Sequence, residues 1–569
     1  MMNGTSLPPL IRALLTDPAC YDHHVEALQL VETHISWVVL TGAYAYKIKK
    51  PVNPGFLDFT TLELRQLDCL EELRLNRRLA ADYYLDVVAI TGTFEAPRIR
   101  HSLSPASGRE QGERETTSLR EVGEILEYAV KMRQFPLDAT LDKLAARGEL
   151  GNQQIDVLAS RLAHFHLFEC EIASTDSPWG APDVVAKPVV ENFKVLATRL
   201  KDTTELARLT GMAAATPNNE TAMPVSLTQT LSRKEREQSS ACAGFKLEVL
   251  QSWCETEHAR LAPLMRVRKQ DGWVRECHGD LHLANLAWVD GHLVIFDCLE
   301  FSPALRWTDI ISEVAFCYMD LLHRKYQGLA SRFLNAWLES TGDYQGIALL
   351  RYYAVYRAMV RAKVAALRAE QGNIASSTEV AGCLQLAEQL AFSTCHLPLS
   401  TFPSLTITHG LSGSGKTTLT QTLLEKNGLI RLRSDVERKR LAGLAALDKS
   451  VGDIGAGLYT QQASLRTYQH LAHLAEGLLG AGWPVIVDAA FLERDQRDLF
   501  RNLAQRFGAD FRILDIQADP DVLRERVRRR SEQGTDASEA DLRVLEHQLA
   551  TARPLDEDEL AVCLPIGTM

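Results

Sequence analysis

The chain has 569 residues, with 62 Lys+Arg against 73 Asp+Glu and a formal net charge of −11, and at about 150 residues per domain it predicts three to four structural units. With 46% hydrophobic and 24% charged residues and 34 Gly and 21 Pro, it is neither collagen-like nor wholly disordered. The acidic balance argues against nucleic acid as a partner, because phosphate-backbone binding needs a basic face.

The start, MMNGTSLPPLIRALL, lacks a long apolar core with a cleavage site, and no stretch reaches about eighteen uninterrupted apolar residues, so neither export nor a membrane span is expected. Residues 35–48 (ISWVVLTGAYAYKI) are β-branched and aromatic and predict a hairpin or one long strand. Period-2 alternation puts Lys47 opposite Tyr46 and Ile48, with Lys49 on the same face as Lys47. Residues 62–80 predict a helix with Leu64, Leu67, Leu75 and Leu79 on its apolar side. Glu71 falls on that stripe, where an unpaired carboxylate would not stay, so Glu71 is the candidate partner of Lys47, with Glu72 as the alternative. Residues 101–117 and 210–240 are rich in Ser, Thr, Glu and Arg without apolar periodicity and predict inserted loops. Residues 124–132 (EILEYAVKM) predict a strand.

His278-Gly-Asp280-Leu-His-Leu-Ala-Asn285, followed by the apolar run ending in Asp297, is a phosphotransfer constellation. Such chemistry needs one carboxylate at an acceptor hydroxyl, and an amide oxygen plus a second carboxylate to hold Mg²⁺ on a triphosphate. A short loop can turn Asp280 and Asn285 into one site, and a strand then delivers Asp297. Further on, Glu300 and Asp309 are candidate acceptor contacts.

The Pro-containing stretch 396–403 predicts a linker between a segment 1–395 and a segment 404–569, in which strands and helices alternate as in a parallel sheet with covering helices. Gly410-Leu-Ser-Gly413-Ser414-Gly415-Lys416-Thr417 fits G-x-x-x-x-G-K-[ST] directly after the strand LTITH and before a helix that continues through Thr418. Its glycines let backbone N–H groups face phosphates, Lys416 reaches the β/γ-phosphates, and Thr417 can ligate Mg²⁺. Asp488 ends the run WPVIVD and suits a metal-assisting carboxylate. Asp435 follows the second strand and can orient or deprotonate an acceptor hydroxyl. Arg526 and Arg530 are i,i+4 neighbours on one helix face and could close over a transferring phosphoryl group.

The C-terminal set resembles the P-loop kinases of the gluconate kinase and zeta-toxin type, with a Ser-Asp-x-x-Arg segment and an Arg-rich lid. The set from Lys47 to Asp297 resembles the protein-kinase-like fold in its aminoglycoside phosphotransferase branch. That resemblance implies an α+β kinase-like domain in which Lys47 grips the α/β-phosphates, the strand with Tyr128, Val130 and Met132 receives adenine, Asp280 is the catalytic base, and Asn285 and Asp297 are metal ligands. Together the halves resemble a bacterial fusion of an aminoglycoside phosphotransferase-like domain with an α/β P-loop kinase domain. The resemblance implies two ATP- and Mg²⁺-dependent sites acting on small-molecule hydroxyl acceptors. The eleven cysteines, without a C-x-x-C pair, are expected to be reduced thiols of a cytoplasmic protein. The alternatives are an N-terminal ATP sensor that regulates the C-terminal kinase, and a P-loop ATPase acting on a protein partner.

Overall fold

The structure is a computed structural model that describes residues 7–53, 55, 57–100, 124–199, 233–370, 375–392, 403–446, 448, 460–533 and 537–564. The expected insertion 101–117, residues 210–232 of the second insertion and residues 396–402 of the linker lie outside the described residues. The chain forms two compact units: Met1–Leu150 with Phe168–Gly180 and Gly272–Glu313, and Gly151–Leu167 with Ala181–Asp271 and Val314–Met569.

The first unit is built on a six-stranded sheet of order β1-β2-β3-β6-β4-β5, formed by β1 (Gln29–Glu32), β2 (Ser36–Leu40), β3 (Tyr44–Lys49), β4 (Tyr84–Gly92), β5 (Pro97–Arg100) and β6 (Ile125–Arg133). Every pairing is antiparallel. The run 35–48 therefore resolves into the hairpin β2–β3. Alternation sorts the two faces: Tyr46, Ile48, Val88 and Ile90 pack with Leu10, Ile11 and Val39, whereas Val87, Ala89, Tyr128 and Val130 pack with Cys69 and Leu73. Lys47 thus points to the second face, where α1 (Leu62–Ala80) lies.

Helix α1 forms where expected but turns differently. Leu64 and Leu67 are exposed, while Arg65, Cys69, Glu72, Leu73, Asn76 and Ala80 are buried. Of the expected stripe, Leu75 is buried and Leu79 half-buried, and only Leu64 and Leu67 are corrected; polar residues take their place on the inner face because they are paired. Arg65 binds Glu127 through Nε at 2.9 Å, and Asn76 Oδ1 accepts from the Cys298 N–H at 2.9 Å.

The unit also holds two short strand pairs: β7 (Val274–Glu276), which pairs antiparallel with β10 (Trp307–Asp309), and the hairpin of β8 (Leu286–Val289) and β9 (His292–Ile295). The tight β8–β9 turn is Asp290-Gly291, both with positive φ, the conformation a right-twisted two-residue hairpin demands. It fixes the register that carries Asn285 into β8 and Asp297 out of β9.

The second unit combines helices Pro182–Arg199, Arg233–Gln270, α2 (Gln327–Thr341), Ile347–Glu370 and Ala375–Phe392 with a four-stranded sheet of order β12-β13-β11-β14. Its strands β11 (Ser404–His409), β12 (Ile430–Arg433), β13 (Val485–Asp488) and β14 (Asp510–Asp515) are all parallel, as the strand–helix alternation required. Covering helices include α3 (Lys416–Asn427), α4 (Ser434–Leu441) and α5 (Pro520–Gln533). Residues 233–240, expected within a loop, begin the helix Arg233–Gln270. Their Lys, Arg, Glu and Gln are good helix formers, so polarity alone was a poor guide there.

Candidate active sites

In the first unit β3 delivers Lys47 and α1 delivers its partner. Lys47 Nζ lies 2.8 Å from Glu72 Oε1 and 2.5 Å from Asp297 Oδ1. Burial alone would lower the lysine pKa, but Asp297 and Glu72 outweigh it and hold the ammonium charged. Glu71 is corrected: it bonds Arg74 at 2.7 Å and Arg306 at 2.6 Å, because it sits one residue round the helix from the buried face. Lys49, on the same side of β3, is fully buried among Asp68 at 2.8 Å, Glu72 at 2.5 Å and Glu300. Burial pushes the Glu300 carboxyl up to about 7. Buried Glu300 is bonded to Lys49, whose charge opposes that rise, and buried Asp309 accepts from the Ile311 N–H at 3.1 Å, so neither is an open acceptor contact.

The loop from His278 to Asn285 brings the expected residues together. His278 is buried, and its Nε2 meets the Phe296 carbonyl at 2.8 Å. Asn285 Nδ2 donates to Asp280 Oδ2 at 3.1 Å. The Phe296 N–H donates to the Asn285 carbonyl at 3.1 Å, tying Asn285 to the strand end that carries Asp297. Asp297 has φ +65°, an uncommon left-handed conformation for a non-glycine, and its N–H donates to the Tyr84 hydroxyl at 3.1 Å. Burial would raise the Asp297 pKa, yet Lys47 prevails and keeps it ionised.

The adenine-strand expectation is corrected. Val130 is paired with both Lys47 and Val87, and Met132 with both Ala45 and Tyr84. The Tyr128 N–H donates to its neighbour Glu127 at 3.0 Å. A strand inside a sheet has spent its backbone on the ladder, so any base-binding backbone groups lie beyond β6.

In the second unit β11 runs into the Gly-rich loop. Gly410 has φ +150°, and a Cβ there would lie 2.5 Å from the Ile516 carbonyl oxygen, so only glycine fits. Gly413 and Gly415 also have positive φ, and Gly415 caps α3. Lys416 Nζ folds back on the carbonyls of Gly410 at 3.0 Å and Leu411 at 2.8 Å. Its pKa is lowered by burial, against the pull of Asp488 and Asp435. The Thr417 hydroxyl donates to Asp488 Oδ2 at 2.8 Å, the buried Ser414 hydroxyl lacks a protein partner, and Thr418 is exposed. Asp435 lies in the first turn of α4, 3.1 Å from Arg438. Burial would raise its pKa, but Arg438 and Arg433 hold it below the usual carboxylate range. Arg526 Nη1 reaches the Gly413 carbonyl at 3.3 Å, while Arg530 Nη2 bonds the Ala540 carbonyl at 2.6 Å. Arg526 is the one bonded to the loop, and Arg530, though bonded to Ala540, is near enough to Lys416 for its charge to help lower that lysine's pKa.

Both donor sets suit Mg²⁺. Asn285 and Asp297 offer an amide and a carboxylate oxygen, and Thr417 and Asp488 a hydroxyl and a carboxylate; a hard cation that also binds phosphate takes just such ligands. Sequence reasoning did not foresee the buried ion cluster at Lys49, nor Arg433. Arg433 stands directly before Ser434-Asp435, and its strand-end position was the available signal.

Among the described residues, no helix is long and apolar enough to cross a membrane. An uncharacterized protein of Mycobacterium tuberculosis is 28% identical over 525 residues, covering 92% of this chain and 91% of the relative. A choline/ethanolamine kinase family protein from Mesorhizobium loti is similar at 10% identity, TM-score 0.35, over 67% of this chain and 94% of that one. A gluconokinase from Sinorhizobium meliloti 1021 is similar at 21% identity, TM-score 0.20, over 29% of this chain and 81% of that one. Residues 405–555, with the Gly-rich loop at their start, match the AAA domain family model.

Proposed function

We propose that the protein is an ATP-dependent phosphotransferase with two MgATP sites, each passing a γ-phosphoryl group to a hydroxyl of a small-molecule acceptor. The observation that carries the reading is Lys47 clasped between Glu72 and Asp297, with Asn285 and Asp280 bonded to each other on the adjoining loop. In the first unit Lys47 binds the α/β-phosphates and Glu72 fixes its ammonium. Asp280 takes the proton from the acceptor hydroxyl as the new P–O bond forms and the bond to the β,γ-bridging oxygen breaks. In the second unit the loop N–H groups and Lys416 hold the triphosphate, Asp435 orients the acceptor and Arg526 covers the loop. Mg²⁺, when bound through Asn285 with Asp297 or Thr417 with Asp488, neutralises phosphate charge. Nine cysteines among the described residues are free thiols, which supports placement in the reducing cytoplasm. The division into 1–395 and 404–569 is part of this proposal as a functional one. Its test is phosphate transfer from labelled ATP to a library of hydroxylated metabolites by the wild type, Asp280→Ala and Lys416→Ala. Transfer that is lost with one variant and kept in the other assigns each acceptor to its site; no transfer to any acceptor contradicts the reading.

A further inference from the structure

Strand β12 is an edge of the parallel sheet, and α2 of the same unit covers its open side. Asn335 acts there as a short stand-in for a neighbouring strand: its Nδ2 donates to the Leu429 carbonyl at 2.9 Å and its Oδ1 accepts from the Arg431 N–H at 2.7 Å. One helical turn further along α2, Glu339 meets two arginines of β12. Its Oε1 lies 2.7 Å from Arg431 Nη2, and its Oε2 lies 3.5 Å from Arg433 Nη1. Alternation puts Arg431 and Arg433 on one side of the strand. Parallel pairing sets Arg433 in register with Asp488 on β13, so that Arg433 Nε stands 4.0 Å from Asp488 Oδ2. That oxygen is the one that accepts from Thr417.

Arg433 therefore stands among the Glu339 carboxylate of α2, the Asp488 carboxylate assigned to the metal and the Asp435 carboxylate, whose pKa it lowers. At 4.0 Å its Nε is beyond hydrogen-bond reach of Asp488. Glu339 is the acid that draws the guanidinium away from the metal site; without its charge Arg433 would be drawn toward the acids on the other side, Asp435 and Asp488, and at Asp488 would compete with a cation. We propose that Glu339 is a positioning residue that holds Arg433 away from Asp488 and so leaves that carboxylate to Mg²⁺ at the P-loop site. The inference rests on the proposed P-loop function and assigns a part of that site to a helix that precedes β11 and the Gly-rich loop in the chain.

The test uses the full chain carrying Lys47→Met, so that only the P-loop site reports, and measures ATP affinity by calorimetry as a function of Mg²⁺ concentration. Glu339→Gln is expected to raise the Mg²⁺ needed for half-maximal binding about tenfold, the order set by one competing cation at a part-buried acid. Adding Arg433→Gln should bring it back to or below the starting value. Loss of packing alone would not be repaired by a second charge deletion. An unchanged Mg²⁺ requirement in Glu339→Gln, or a double variant as demanding as that single one, overturns the proposal. Should Glu339→Gln melt too early to be titrated, Arg433→Gln alone decides: an equal or lower Mg²⁺ requirement supports the proposal and a higher one overturns it. Absence of any Mg²⁺-dependent ATP binding in the Lys47→Met chain overturns the underlying P-loop function instead.

Discussion

Under the proposed function, Asp280 is the side chain whose removal should separate binding from transfer. It is 34% exposed, with Asn285 at 3.1 Å and His282 at 3.4 Å, so an acceptor can reach it, and in the proposal Lys47 and Asp297 take the triphosphate end. Asp280→Asn is expected to lower transfer by the first unit roughly 10² to 10⁴-fold, the range of a positioned general base, with ATP affinity by calorimetry unchanged. Undiminished transfer would contradict the role of Asp280 as the base. His278 acts on stability. Burial holds its imidazole below the ordinary pKa, so the folded state resists a proton that the unfolded chain accepts near pH ~6.5. Its contribution is present above that pH and is lost as the pH falls. Melting temperature should therefore drop between about pH 7 and 5, and His278→Gln should make the drop shallower; an identical slope would contradict this. The ionic residues were legible in the sequence as types but not as pairs. Glu71 and Glu72 differ by one step on a helix, and only the packed orientation of α1 shows which one meets Lys47.

At the scale of elements, motifs that sit on strand ends were the easiest to foresee. The Gly-rich loop follows β11 and Asp488 ends β13, because a parallel sheet presents its ligands at the carboxyl ends of its strands. Hydrophobic periodicity held in α1 for Leu75 but misplaced Leu64 and Leu67, because the inner face also carries Arg65, Glu72 and Asn76, each with a buried partner. Polar residues can line a core when every group is bonded, and a leucine count does not see this. The strand holding Tyr128 to Met132 was legible, but its place in the middle of the sheet depends on pairing with β3 and β4, which no local pattern announces. Edge coverage of β12 is likewise invisible in sequence, since Asn335 is far from the strand it completes. Asn335→Leu strands the Leu429 carbonyl and the Arg431 N–H, and at about one to three kcal/mol per buried orphan it should cost about 2–6 kcal/mol. Chemical denaturation would read that as a lowered midpoint; an unshifted midpoint would show that solvent satisfies the edge.

At the scale of the molecule, the Pro-containing stretch 396–403 suggested that residues 404–569 form a module of their own, yet α2, β12 and α3 fall in one compact unit. Arg332 of α2 also bonds Glu425 of α3 at 2.6 Å, and the buried Arg268–Asp343 pair at 2.6 Å anchors the turn after α2 to the helix Arg233–Gln270. A fragment 404–569 would leave the β12 edge bare, and an uncovered edge invites association. Expressed alone it should aggregate or melt well below the full chain; a monomeric fragment with the full chain's melting behaviour would contradict the role given to α2. The central claim is the presence of two MgATP sites in one chain, each with its own lysine. Calorimetric titration of the wild type with MgATP should give two binding equivalents, one in Lys416→Ala, one in Lys47→Met and none in the double variant. A single equivalent in the wild type, or complete loss of binding in Lys416→Ala alone, would contradict it.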